Sequence, residues 1–455
     1  MELQLAGDNR SRTPKDKAFL EFMKTGWSES EAQVQIDPAA NQTAYEKRTL
    51  LMDAFPGRTI VITAGIAKQR SNDTHYRFRP NTEFTQLTNW GSRAVEGSIL
   101  VIDSTDKTSK LFIRPSADKD SDEFFANSEI GEFWVGPRPD LAQVEKLLGI
   151  QTFDLKDFQP IENHLTMEDD ELKQFLSEQR IVKSSWEIEQ IDKAVEATKD
   201  GFENLISKIP SAGKRGERVL EAAFFEKARL HGHDLGYETI AASGNHANIL
   251  HWTKNSGDIK TGDLVLVDAG VEMDSLFTAD ITRTLPVSGR FSAVQKEIYE
   301  VVLEAADAAF AVCKPGNLFR DMHNEAMRVI AKHCQRWGII PVSAEESLKP
   351  ENQYHRRWMV HGTGHHLGLD VHDCAQARKE MYLDTELKPG MVFTIEPGLY
   401  FHQNDQLAPP SFRGIGVRIE DNVAITEDGY RWLSEGIPRT VVEVEQWMKS
   451  IWDGN

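Results

Sequence analysis

The chain has 455 residues, 71 Asp and Glu against 52 Lys and Arg, and a formal net charge of −19. That length exceeds one ordinary core and predicts two domains, while the acidic balance argues against nucleic acid and anionic membranes as partners, which are bound by neutralising their phosphates. No apolar run approaches the roughly 18 residues of a spanning helix, and the polar start MELQLAGDNRSRTPKDK lacks the apolar centre of a secretory signal.

Residues 1–40 are polar and weakly patterned and read as an N-terminal extension, partly disordered or lying on another subunit. Residues 41–180 read as a mixed α/β domain, with strands at 58–63 (RTIVIT) and 98–102 (SILVI), no glycine-rich phosphate loop, and a charged connecting helix at 167–179. A second regime, 181–455, opens with Ser184 and Glu187 in capping-box spacing ahead of Ile188, Ile191, Val195, Phe202 and Leu205 near one helix face. Further helices are expected at 216–231, from Ser292 (with Gln295 as cap partner) to about Cys313, and from Leu318 to Trp337. Pro315 and Gly316 separate the last two. Strands are expected at 264–267, 277–284, 391–395, 416–419 and 423–425. Helices alternating with antiparallel-looking strands predict an α+β layer fold rather than a parallel array. Cys313, Cys334 and Cys374 are odd in number and scattered, with neither disulfide nor zinc spacing, which points to a reducing, cytoplasmic setting.

Acids stand where strands should be apolar. Asp268 ends LVLV, and Asp280 sits inside LFTADITRT. Asp is depleted in strands, and burying an unpaired carboxylate is costly. Eleven residues separate the two, room for a short hairpin that sets the carboxylates side by side. A cation would relieve the repulsion between them. Glu396 closes the strand in MVFTIEPG and Glu420 the one in GIGVRIED. Either alone could be a salt-bridged core acid, with Arg418 near in sequence, but four such acids favour a metal site of hard oxygen ligands. A nitrogen ligand is expected from HGTGHHLGLDVHD, which holds His361, His365, His366 and His372; chemistry alone does not choose among them.

Taken in order, LVLVDAG, TADITRTLP, HGTGHHLGLDVHD, MVFTIEPGLY and RGIGVRIEDNVAIT resemble the Xaa-Pro aminopeptidase (aminopeptidase P) and prolidase family of metallopeptidases, across residues 181–440. The resemblance implies a pita-bread catalytic domain and the ligand set Asp268, Asp280, His365, Glu396 and Glu420 around two divalent cations, with manganese placed first and cobalt, iron or zinc as alternatives. Asp280 and Glu420 would be shared by both ions and His365 would serve one. QRSNDTHYRFRPNTEFTQLTNW, followed by SILVI, resembles the family's N-terminal domain, which simple methionine aminopeptidases lack. By position, His251 in GNHANILHW would contact substrate near its first residue, with His246 an equally near neighbour of that loop. His372 would face the scissile carbonyl, and His361, Tyr400 and Arg418 would line the proline pocket. His366 reads as wall, Cys374 as packing, and the HGHD run at 231–234 and the CKPG turn as structure. Loop 374–390 departs from the relatives, and Arg378 is its candidate gating residue.

The implied chemistry is attack by a metal-activated bridging hydroxide on an Xaa-Pro bond. Glu396 would take and return the proton, and His372 would help stabilise the oxyanion. The free α-amine would dock near Asp268. The expected partners are short proline-containing peptides and further copies of the chain, as a dimer or a dimer of dimers, with Arg70, Arg77 and Arg79 on a rim shared between subunits. Two alternatives stand beside this reading: an Xaa-Pro dipeptidase, or a non-catalytic binding module on the same fold.

Overall fold

The computed structural model describes residues 14, 16–28, 32, 34–72 and 74–454. Residues 1–13 of the expected extension lie outside it. Within that extension the described part includes the helix Lys17–Met23 and the start of a second helix, α1 (Pro38–Ala54). The second was not legible as pattern because its signal is a cap: Asp37 accepts from the amides of Ala39 and Ala40, and Pro38 fills the first turn.

The chain divides into two compact units, Met1–Leu172 and Lys173–Asn455. The first is built on a four-stranded sheet of β1 (Thr59–Thr63), β2 (Ile99–Asp103), β3 (Thr108–Ile113) and β4 (Gln151–Asp154), in that order. Its last pair is parallel because α2 (Leu141–Leu148) lies in the crossover between β3 and β4. The segment with Arg70, Arg77 and Arg79 holds an exposed two-stranded pairing of 69–71 with 74–75. A helix, α3 (Asp170–Gln179), covers the point of division.

In the second unit, Ser184 caps α4 (Ser185–Ala212) with Glu187 reaching back to its amide. α5 (Gly216–His231) packs against it, and Gly201 admits the Phe224 ring where a Cβ would lie 2.5 Å from it. Three antiparallel strands follow in the order β7 (Ile281–Pro286), β6 (Leu264–Ala269), β5 (Ile240–Ser243). After α6 (Ala293–Ala311) and α7 (Phe319–Arg336) come β8 (Val392–Ile395), β9 (Gly398–Phe401), β10 (Ile415–Arg418), β11 (Asp421–Ile425) and β12 (Tyr430–Trp432), all antiparallel. A last helix, α8 (Val441–Asp453), closes the chain. One apolar core runs beneath these strands, with Leu266, Val302, Ile330, Phe393 and Val417 at its centre. The architecture is α+β, as the pattern predicts.

One expectation is corrected. The strand expected at 277–284 begins only at Ile281. Before it, the amide of Thr278 bonds to the Gly368 carbonyl and that of Asp280 to the Asn422 side chain, so neither enters the ladder. Arg418, near Glu420 in sequence, has its ion pair with Asp268 of β6. Among the described residues no helix is long and apolar enough to cross a membrane. The three cysteines are buried and free, with the Cys374 thiol pushed up to about 12 chiefly by burial.

Candidate metal centre

Antiparallel pairing sets Asp268 opposite Thr282, so Asp268 on β6 and Asp280, just ahead of β7, meet at one end of the sheet. The Tyr237 hydroxyl lies 2.7 Å from one and 2.5 Å from the other, so its single proton is within reach of either carboxylate. Glu420 sits between β10 and β11, its amide held by the Thr282 carbonyl and its carboxylate by the Thr282 hydroxyl at 2.6 Å. Alternation along these strands sends neighbours to opposite faces: Thr282 and Glu420 turn to the site, while Arg283 and Asp421 pair with each other at 2.7 Å behind it.

The histidine segment lies against β8. Thr394 accepts from the His365 amide and returns its own amide to the His365 carbonyl. That close approach needs Gly364, where a Cβ would lie 2.1 Å from the Thr394 carbonyl oxygen. His365 Nδ1 lies 3.1 Å from the His366 carbonyl, which only accepts, so Nδ1 carries the proton and donates. Nε2 then faces Asp280 at 3.2 Å and Glu396 at 3.5 Å. Among the described residues, Asp280, His365 and Glu420 each offer a ligand atom within 4.8 Å of one another. Glu396 and Asp268 flank that group.

The electrostatics are those of excess negative charge out of water. Burial raises the Glu420 carboxyl well above its usual range, and Asp280, Glu396 and Asp268 add to the rise. Burial likewise lifts Glu396 to about 7, against the pull of His365. Asp268 is raised by burial despite Arg418. Burial would lower His365, but Asp280 and Glu396 outweigh it and hold the ring at about 9. Four carboxylates and one neutral-capable imidazole, with Arg418 the one guanidinium among them, form a donor set that fits divalent cations.

Beside the acids runs a proton-ordered array. Arg418 donates to the Tyr400 hydroxyl at 3.1 Å, and Tyr400 meets His361 Nε2 at 2.7 Å, while His361 Nδ1 donates to the Gly362 carbonyl. Burial and Arg418 push His361 down to about 3, so it stays neutral and accepts from Tyr400. Arg356 fixes the backbone here, donating to the carbonyls of Met359, Val360 and His361. His372 is exposed, with its ring 4.4 Å from that of His365 in edge contact.

A cavity of about 640 Å³ joins these groups, within the range of small-ligand sites. Of the residues singled out from sequence, Asp268, Asp280, His365, Glu396, Glu420, His251, His361, His372 and Arg418 line it; Tyr400 stands buried behind His361. His246 turns away, its Nδ1 2.7 Å from Glu217, so His251 is the histidine of that loop that faces the cavity. His366 is buried and stacked on Phe319. Arg378 is bound to Glu178 through Nε and Nη2 and does not line the cavity. Sequence reading missed Tyr237 and Thr282; a lone Tyr in GYETI and a Thr in a strand carry no signal until the fold brings the acids to them.

Residues 189–427 match the model of metallopeptidase family M24, and residues 44–173 match that of the aminopeptidase P N-terminal domain. The chain is 42% identical to Xaa-Pro aminopeptidase 1 of Streptomyces coelicolor, covering 95% of this chain and 92% of that protein. It is 30% identical to human Xaa-Pro aminopeptidase 3, covering 90% and 87%. Among solved structures, Pseudomonas aeruginosa aminopeptidase PepP superposes with a TM-score of 0.79 at 28% identity, covering 92% of this chain and 100% of the other. An Escherichia coli aminopeptidase P variant in complex with substrate gives 0.78 at 27%, covering 93% and 100%.

Proposed function

The chain belongs to metallopeptidase family M24, with an aminopeptidase P N-terminal domain ahead of the peptidase domain, and from that premise we propose how its site works. It is a metal-dependent exopeptidase, an Xaa-Pro aminopeptidase that releases the first residue of peptides with proline second. The observation that carries the site reading is the cluster of Asp268, Asp280, Glu396 and Glu420 around His365, buried together with too little fixed positive charge. These five would hold two divalent cations, manganese first among the candidates, with Asp280 and Glu420 shared. When bound, the cations neutralise the carboxylates and lower the pKa of water.

The protein side chains do the rest. Glu396 takes the proton of the attacking water and passes it to the leaving proline nitrogen. His372, which lines the cavity, donates to the carbonyl oxygen as charge develops there. His251 contacts substrate near its first residue, and Asp268 stands beside the place of the free α-amine. His361 and Arg418, braced by Tyr400, form the wall for the proline ring, which offers no N–H for a peptidase to hold. The two domains, divided near residue 180, work in the cytoplasm as a dimer or dimer of dimers. The exposed segment around Arg70 supports a shared rim.

The test is cleavage of an Xaa-Pro-Yaa tripeptide against the Xaa-Pro dipeptide, before and after chelation and with each candidate metal restored. Metal-dependent release of Xaa from the tripeptide is expected. Cleavage of the dipeptide alone would make the enzyme a dipeptidase, and binding without cleavage under every metal would make it a binding module.

A further inference from the structure

The segment between β5 and β6 makes a long excursion, 244–263, and it carries the cavity residues Leu250, His251 and Thr253. An excursion of this length needs something to fix it, since every ordered residue loses backbone entropy. One carboxylate ties its parts together, beside Asn255, which accepts from the Ala241 amide and donates to the Thr239 carbonyl. Glu217, in the first turn of α5, is 0% exposed and does not line the cavity. Its Oε1 accepts from the Ser243 amide at 2.8 Å and lies 2.7 Å from His246 Nδ1. Its Oε2 accepts from Trp252 Nε1 at 2.9 Å and from the Gly257 amide. The Glu217 amide in turn donates to the Gly257 carbonyl. The groove left by Gly257 admits the carboxylate, since a Cβ there would lie 2.6 Å from it.

One donor is the last residue of β5, and the other three come from the first turn, the middle and the far limb of the excursion. His246 and Trp252 stack at 3.9 Å over the same carboxylate, and the turns that join them hold His251: the Ile249 amide bonds to the His246 carbonyl and the Thr253 amide to the His251 carbonyl. The excursion is seated from its other side on β10, where Gly416 leaves room for the Ala247 backbone.

We infer that Glu217 is a positioning residue for the substrate loop: it sets the place of His251 at the cavity without touching substrate or metal. The inference rests on the reading of His251 as a substrate contact. Four donors converge on two carboxylate oxygens, a count that a carboxylate satisfies and an amide does not, because an amide turns a second set of N–H groups toward at least one of them. The loop is therefore coded by the acid, not by its own sequence alone.

The test is a double-mutant cycle on tripeptide cleavage, with metal content and hydrogen exchange of 244–257 measured on every variant. Glu217→Gln is expected to lower kcat/KM by about tenfold or more in the parent, but by less than about twofold in a His251→Ala background. Bound metal is expected to stay unchanged and exchange in the loop to rise. Trp252→Phe, which removes one donor and keeps the stack, is expected to show the same non-additivity at smaller size; it decides the matter if Glu217→Gln fails to fold. Equal losses in both backgrounds, a parallel loss of metal, or unchanged exchange would overturn the inference. If His251→Ala itself leaves kinetics intact, the assignment of His251 fails instead, and the pin stands or falls on exchange alone.

Discussion

Buried acids in the peptidase domain are of two kinds, opposite in character. Asp373 follows His372 in the chain and is 1% exposed. Arg180 Nε lies 2.8 Å from one of its oxygens and Lys183 Nζ 3.2 Å from the other. Burial alone would raise its carboxyl, but Lys183 and Arg180 outweigh it and hold it well below the usual range. Glu420 is 2% exposed and has no ion pair among the described residues; burial and the surrounding acids drive its carboxyl up against the pull of Arg418. A buried acid supplied with its own fixed cations is a structural joint; a buried acid left short of them is a socket for cations that arrive from solution.

The contrast predicts different failures. Asp280→Ala or Glu420→Ala should abolish activity and reduce bound metal while the circular dichroism stays that of the parent; full activity with full metal would break the assignment of shared ligands. Next in size, His372→Ala should lower turnover by about 10²–10³-fold with metal retained. A metal loss as large as that of His365→Ala would show that the two histidines have been exchanged.

Asp373→Asn should instead cost stability, about 3–5 kcal/mol, because Arg180 and Lys183 are left buried without their counter-charge. Glu420→Gln in metal-free protein should cost nothing, since its charge was unfavourable there. Denaturant titration of the two variants after chelation measures the difference, and equal losses would erase the distinction. The smallest effect is in pH. A group whose folded pKa is raised contributes stability that is full below its unfolded value and is lost as pH rises through the folded one. In metal-free protein, Glu396 rises from 4.5 to about 7 and His365 from 6.5 to about 9, so the melting temperature should fall relative to the metal-loaded form between those limits. Asp373 has the reverse sign: its contribution is full above 3.8 and fails only in stronger acid. A stabilisation by metal that is flat with pH would contradict the first half.

Much of this was legible in the chain. The acids ending apolar runs and the glycine-spaced histidines carry their own signal, because burial of charge is costly enough to be conspicuous in a strand pattern. The helices from Ser184 and Ser292 were legible through their caps. Partners across the fold were not. Arg418 and Glu420 stand two apart and both turn to the site, yet Arg418 pairs with Asp268 of another strand, a partner nothing in the sequence marks. The hydroxyls of Tyr237 and Thr282 act only through acids 31 or more residues away. Glu217 looked like any acid in a first helical turn. The irregular stretch before Ile281 read as strand because Phe277, Thr278, Ala279 and Asp280 alternate apolar and polar, while its backbone bonds go elsewhere.

The alternation that turns Thr282 and Glu420 to one face and Arg283 and Asp421 to the other restricts how this protein can vary over evolution. Substitution at any one of these positions damages one function. Insertion or deletion of a single residue within 415–421 would invert the facing of the strand, bringing Asp421 toward the site and sending Glu420 toward Arg283, so that catalysis and the joint behind it would fail together. The loop at 402–414, between β9 and β10, is under no such restriction of phase. Descendants of this gene should therefore differ in length there while keeping an unbroken count from Arg418 to Asp421.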